Sequence, residues 1–205
     1  YVNAFHHNGS IYDWNDLRVV EDYDLETLAD FDQSNPMMWR YMLDAHAYWL
    51  REFGIAGFRM DTIKHVNQMY WVDFSNRIYG DAAHAEIFGE YFGAGPLNTN
   101  SHAFYTNTQM TMLDFDFRFA MENVFHRNAS FREITNIFQR DSALVDAREL
   151  VTFLDNHDLP RLRGQGVSLL RMQQAIAMWM VARGVPCIYY GMEQDLFFPG
   201  DPGDP

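Results

Sequence analysis

Short apolar runs alternate along this chain with longer stretches in which apolar residues recur every three or four positions. Asn35 followed by Pro36 reads as a helix cap and first turn; Met38, Tyr41, Met42, Ala45, Trp49 and Phe53 continue at helical spacing, and Gly54 supplies a left-handed stop. Ile55 to Met60 then predicts a strand, and Asn67 to Tyr79 an amphipathic helix. The alternation repeats. Ala83 to Phe88 and Met110 to Phe115 read as strands, Arg118 to His126 as a helix and Leu150 to Leu154 as a strand. Ser168 to Arg183 follows as a helix with Leu169, Met172, Ile176, Trp179 and Met180 on one face, and Val185 to Tyr190 is the fifth strand.

Strands joined by helices predict parallel β/α units, since a parallel pair needs a crossover and the crossover is usually helical. Periodicity leaves open whether the five strands form an open doubly wound sheet or an arc of an eight-stranded barrel. At 205 residues, 24.0 kDa and 48% hydrophobic content the chain is long enough for a sizeable core. A formal charge of −13 repels phosphate backbones and anionic lipid, which disfavours nucleic acid and membrane surfaces and leaves neutral or cationic ligands, metal ions among them. The single cysteine, Cys187, has no internal partner for a disulfide, and no 18-residue apolar run or charged leader is present. No repeat or linker tract divides the chain. It opens at Tyr1 and stops in the turn-forming Gly203-Asp204-Pro205, as expected of a piece of something longer.

Three of the predicted strands end in a carboxylate set in an unusual polar cluster: Asp61, Glu90 and Asp158. In parallel α/β folds the carboxyl ends of the strands carry the active site, so the three are expected to converge on one pocket. A single Asp in such a place is as often a turn or capping residue; three together favour a site. Arg59 stands two residues before Asp61, on the same face of a strand, where a guanidinium holds the carboxylate ionised and aimed, as suits a nucleophile. Glu90, in a partly dry cleft near an ionised neighbour, has the surroundings of a general acid. His157 and Asp158 are adjacent and together donate to and accept from sugar hydroxyls; a structural role for the histidine is the alternative. Lys64 and His65 lie within ligand reach of Asp61, although such residues at a helix start are more often solvated. His6 and His7 point to opposite faces of an extended segment and make a poor chelating pair. No glycine-rich phosphate loop, HExxH, CxxC or G-x-S-x-G is present, which counts against nucleotide binding, zinc hydrolysis and serine hydrolysis.

With these residues in view, the chain resembles the α-amylase family of glycoside hydrolases. "GFRMDTIKH" (57–65) resembles the family's fourth-strand motif, "EIFGE" (86–90) the fifth and "FLDNHD" (153–158) the seventh. "GVPCIYYGMEQ" (184–194) resembles the eighth strand and its loop, and "LADFDQ" (28–33) the segment leaving the family's inserted small domain. The resemblance implies an α/β fold, part of a TIM-type (β/α)8 barrel holding strands four to eight. Residues 1–33 would be the end of the inserted domain and 34–205 the C-terminal part of the barrel. It implies Asp61 as nucleophile, Glu90 as acid/base and Asp158 as the carboxylate that binds sugar hydroxyls and steadies the distorted ring. It places Arg59 and His157 at the cleaved sugar, Lys64 and His65 at the acceptor side, and Phe92 stacking on an acceptor sugar. It also implies a structural Ca²⁺ held partly by Asp30 and by the main-chain carbonyl of His65, and a secreted or periplasmic setting. The substrate class implied is an α-glucan.

Strands one to three and the family's first motif are expected to lie outside these residues. An isolated arc exposes unpaired strand edges, so the 205 residues alone are expected to be poorly stable and inactive. Three functions follow. An α-amylase cleaving α-1,4 links with retention leads. A cyclodextrin-forming glucanotransferase is second, since "AFHHNGSI" and 57–66 resemble those enzymes; they carry an aromatic ring where this chain has Glu26. A catalytically inactive scaffold or transporter partner is third, opposed by the presence of all three carboxylates.

Overall fold

The computed structural model describes residues 2–198; Tyr1 and the Gly203-Asp204-Pro205 end lie outside the described residues. In chain order the elements are helices α1 (Leu17–Asp22) and α2 (Pro36–Phe53), strand β1 (Gly57–Met60), helix α3 (Gln68–Asp81), strand β2 (Glu86–Gly89), helix α4 (Thr99–Thr108), strand β3 (Thr111–Met112), helices α5 (Phe115–Phe125) and α6 (Arg132–Phe138), strand β4 (Val151–Thr152), helix α7 (Leu169–Val181) and strand β5 (Val185–Pro186). They divide between two compact units, Tyr1–Phe92 with Thr106–Met110, and Gly93–Tyr105 with Thr111–Pro205.

In the first unit the caps act where local chemistry dictates. The Asn35 side chain accepts from Met37 N (2.9 Å), and Gly54, at φ 60°, returns its N–H to the Leu50 carbonyl. The apolar stripe predicted for α2 is only partly its packing face: Met38, Met42 and Ala45 are partly buried, Tyr41, Trp49 and Phe53 are more than half exposed, and Ala47 and Leu50 are the buried residues. His46, polar by type, supplies the contact, its ring edge-on to Phe58 of β1 and Phe74 of α3. Strands β1 and β2 pair in parallel, Gly57 with Glu86 through Met60 with Gly89. Gly57 permits this approach, since a β-carbon there would lie 1.9 Å from the Glu86 main-chain oxygen. Helix α3, capped by Asn67, buries Tyr70, Trp71, Phe74 and Ile78; the Trp71 indole N–H donates to the Ile63 carbonyl (2.8 Å), pinning the loop that leaves β1.

In the second unit Leu113 bridges Val151 in parallel, and β4 pairs with β5. The ladder is short because Pro186 brings no N–H; its last bonds are Val185 N to Leu150 O and Cys187 N to Thr152 O, both 2.8 Å. The predicted strand over 110–115 is cut back to Thr111–Met112, because Asp114 caps α5 by accepting from Phe117 N (3.0 Å). Arg183 ties this fully buried carboxylate to Asp141. The core joins Phe117, Met121 and Phe125 of α5 to Ile134 and Ile137 of α6 and to Met172, Ala175 and Trp179 of α7. Leu169 and Met180, predicted on the buried face of α7, are exposed, and Ala175 takes their place. The Trp179 N–H is satisfied by Thr152 Oγ1 at 2.9 Å. No helix among the described residues is long and apolar enough to cross a membrane.

Asp116, in the first turn of α5, accepts from Leu97 N (2.7 Å). Burial pushes its carboxyl up to about 6; Asp114 adds to this, against the Leu97 N–H, His102 and Arg183. The folded chain therefore holds this proton more tightly than the unfolded chain, and stability falls as pH rises from the ordinary carboxylate range through 6. Asp116→Asn, which keeps an acceptor for Leu97, is expected to gain about 1 kcal/mol relative to wild type at pH 7.5 over pH 4.5, the roughly 1.4 units of the shift that fall in this window halved for solvent screening. Urea unfolding at the two pH values measures this, and an equal difference at both would contradict it.

Candidate active site

Asp61 follows the last residue of β1, and Glu90 follows the last residue of β2. The parallel ladder continues one step past the strands: Glu90 N donates to Met60 O (2.8 Å), and Glu90 O accepts from Ile63 N (3.0 Å). Thr62 makes the intervening turn in the left-handed region (φ 48°, ψ 35°). Gly89 leaves room for it, since a β-carbon there would lie 2.5 Å from Ile63 Cδ1. The main chain at Glu90, and on either side of Asp61, is thus fixed before any side-chain contact is counted.

Arg59 joins them. Its Nη1 donates to Asp61 Oδ1 at 2.7 Å and its Nη2 to Glu90 Oε2 at 2.6 Å, a fork spanning two acids. The sequence gives the first bond by period two; the second depends on β1 and β2 being neighbours in register. The Glu90 side chain is 9% exposed and that of Asp61 64%, so the two acids have different surroundings despite their shared partner.

Lys64 and His65 lie in the single turn Ile63–His65 and are half-buried rather than solvated. The Lys64 ammonium stands over two rings, Trp14 at 5.9 Å and Phe92 at 5.6 Å. Burial draws Lys64 below its usual range, against the pull of Glu90. Burial, with Lys64 beside it, likewise lowers His65, whose Nδ1–H donates to the Val20 carbonyl (3.3 Å). Trp14 was not legible as part of this group, because the segment around it carries no periodic pattern. His6 was also missed: its Nδ1 contacts Asp30 Oδ2 (2.6 Å) and its Nε2 Asp32 Oδ1 (3.1 Å), where Phe5 and Phe31 bridge two antiparallel segments. Burial favours the neutral His6 ring, but Asp30, with Asp32 and Asp22, outweighs it and raises its proton affinity.

In the second unit His157 and Asp158 form the exposed tip of a loop, His157 Nε2 to Asp158 Oδ2 being 3.3 Å. Buried Asp155 accepts from Leu162 N (3.0 Å) and Asn156 from Leu159 N (2.9 Å), closing the loop beneath them.

Parallel β/α units with acids at the carboxyl ends of their strands give this chain the layout of the parallel α/β folds, whose sites form at those strand ends. The model of the alpha amylase catalytic domain matches residues 4–198, and the chain belongs to that family. It is 36% identical over 211 residues to a cyclomaltodextrin glucanotransferase of Bacillus licheniformis, covering 97% of this chain and 28% of the relative. Its structure resembles that of a cyclomaltodextrin glucanotransferase with a three-domain ABC distribution, at TM-score 0.90 and 36% identity, over 95% of this chain and 40% of that one. It also resembles the α-amylase of Geobacillus thermoleovorans complexed with acarbose, at TM-score 0.89 and 26% identity, over 98% and 47%. The fold is part of a TIM-type barrel, and the chain spans under half the length of each of these relatives.

Proposed function

We propose that the polypeptide carrying this chain is a retaining glycoside hydrolase of the α-amylase type, acting on α-1,4-glucans such as starch and maltooligosaccharides. The observation that carries the reading is the single guanidinium bonded to both Asp61 and Glu90. A retaining pair must stand close, roughly 5–5.5 Å between carboxyl groups, and a shared fork favours that spacing. In this reading Asp61 Oδ attacks the anomeric carbon while Glu90 delivers its proton to the leaving glycosidic oxygen, giving a covalent glycosyl-enzyme. Glu90, now a carboxylate, takes a proton from water; that water attacks the anomeric carbon and releases Asp61 with retained configuration. Asp158 accepts from sugar hydroxyls and His157 donates to them, with Arg59 also at the cleaved sugar. Lys64, His65 and the face of Phe92 serve the acceptor sugar. Residues 1–33 are assigned to the end of the inserted domain and 34–205 to the barrel.

A structural Ca²⁺ belongs to the same reading, held in part by the Asp30 carboxylate and the His65 carbonyl. Hard oxygen donors suit the ion, though His6 already occupies one Asp30 oxygen. No group of three or more His, Cys, Asp or Glu among the described residues is placed to hold a metal, so this chain would supply part of the shell.

Glucanosyl transfer is the second reading, favoured by the transferases among the matched relatives. Glu26 argues for hydrolysis: it occupies an exposed left-handed turn position (φ 58°) and has no ring to hold a sugar chain. The test is the product profile on maltoheptaose with added Ca²⁺. Short linear α-anomeric products are expected. Cyclic or elongated glucans would replace hydrolysis by transfer, and absence of turnover would leave the inactive scaffold.

A further inference from the structure

The loop that carries Asp158 is tied down by a residue with no part in the chemistry proposed above. Arg161 is 3% exposed, yet among the described residues no carboxylate pairs with it. Its Nη1 donates to the main-chain carbonyl of Tyr190 (2.9 Å), and its guanidinium lies over the rings of Tyr189 (4.4 Å) and Tyr190 (5.0 Å), just beyond β5. Its Nη2 is buried without a hydrogen-bond partner. A buried cation satisfied by one carbonyl and two ring faces is an expensive way to fill space, and leucine or methionine would fill it at lower cost. Its value is therefore geometric: a planar fork fixes direction as well as distance.

We infer that Arg161 is a positioning residue that locks the 155–162 loop to the segment after β5 and thereby sets the place of Asp158. The link between them is short and stiff. Pro160 holds its own φ, and its carbonyl accepts from Gln165 Nε2 (3.2 Å) and Arg118 Nη2 (3.4 Å). With Asp155 and Asn156 closing the loop from inside, Arg161 is the tie nearer Asp158 between its returning limb and the segment after β5, the second being Arg163, which pairs with Asp195 (2.6 Å). The inference rests on the role proposed for Asp158.

The test is a double-mutant cycle in the complete polypeptide, with Arg161→Lys placed in the wild type and in Asp158→Asn, and kcat/KM read on maltoheptaose. Lysine keeps the charge but loses the fork, so a roughly tenfold loss is expected with Asp158 present and less than about twofold once Asp158 is already Asn. Equal losses in both backgrounds, or none in the wild type, overturn the positioning role alone. Absence of glucan turnover by the wild type, or near-full turnover by Asp158→Asn, overturns the functional reading and this inference with it. Should Arg161→Lys fail to give a cooperative thermal transition, Tyr189→Leu removes one stacked ring and leaves the guanidinium; it enters the same cycle with the same deciding outcomes.

Discussion

Replacing Asp61 by Asn is expected to lower turnover on maltoheptaose by about 10⁴-fold, the scale seen when a covalent nucleophile is removed. The substitution is nearly isosteric, and the amide oxygen still accepts from Arg59 Nη1, so the bond now measured at 2.7 Å survives. What disappears is the charge that, in the proposed mechanism, attacks the anomeric carbon. The loss must persist on an aryl glycoside whose leaving group needs no protonation. Glu90→Gln should recover there at the bond-breaking step, because only that step loses its acid. An Asn variant within tenfold of wild type on either substrate would contradict the assignment of Asp61.

Arg59→Lys is expected to cost about 10²-fold in kcat/KM, with a thermal transition near that of wild type. A guanidinium reaches Asp61 and Glu90 from two different nitrogens at 2.7 and 2.6 Å; an ammonium on a flexible stem reaches one of them at a time. The lost charge-assisted bond is worth about 1.5–3 kcal/mol, which converts to roughly ten- to 150-fold in rate. Steady-state kinetics beside a melting curve separates the two effects. Activity within about threefold of wild type would show that the fork is incidental to catalysis.

These two variants also mark how far the sequence could be read. Asp61, Glu90 and Asp158 were legible because each follows an apolar run, and chain direction then puts them at the same kind of place. The bond from Arg59 to Asp61 was legible from a strand's period. Its second bond was not, since nothing local says that the strand holding Glu90 lies beside the strand holding Arg59. Helix α2 was bounded correctly because its caps, Asn35 and Gly54, act within a few residues. Its packing face was read only in part, Met38, Met42 and Ala45 being partly buried, because the aromatic side chains outweighed Ala47 and His46 in the pattern. Helix α4 was missed altogether: Thr99–Thr108 is nearly all polar, and two of its four buried residues, Ser101 and Thr108, are themselves polar, beside Phe104 and Tyr105. The strands came out shorter than predicted for particular reasons, Asp114 capping a helix inside an apolar run and Pro186 withholding a donor. Arg161 and Trp14 were invisible for a simpler reason, since their partners are distant in sequence.

The two close approaches at Gly57 and Gly89 also limit what the surrounding sequence can become. At the first a single added carbon would fall within 1.9 Å of a main-chain oxygen, and at the second within 2.5 Å of the Ile63 side chain that underlies the turn between the acids. A peptide oxygen has nowhere to go without unpairing β1 from β2, whereas a methyl group can turn aside. In a saturation library of residues 57–90, therefore, the position that takes no part in the reaction and tolerates no other residue would be Gly57. Gly89 would be the place where a compensating change, a smaller side chain at 63, could rescue an alanine.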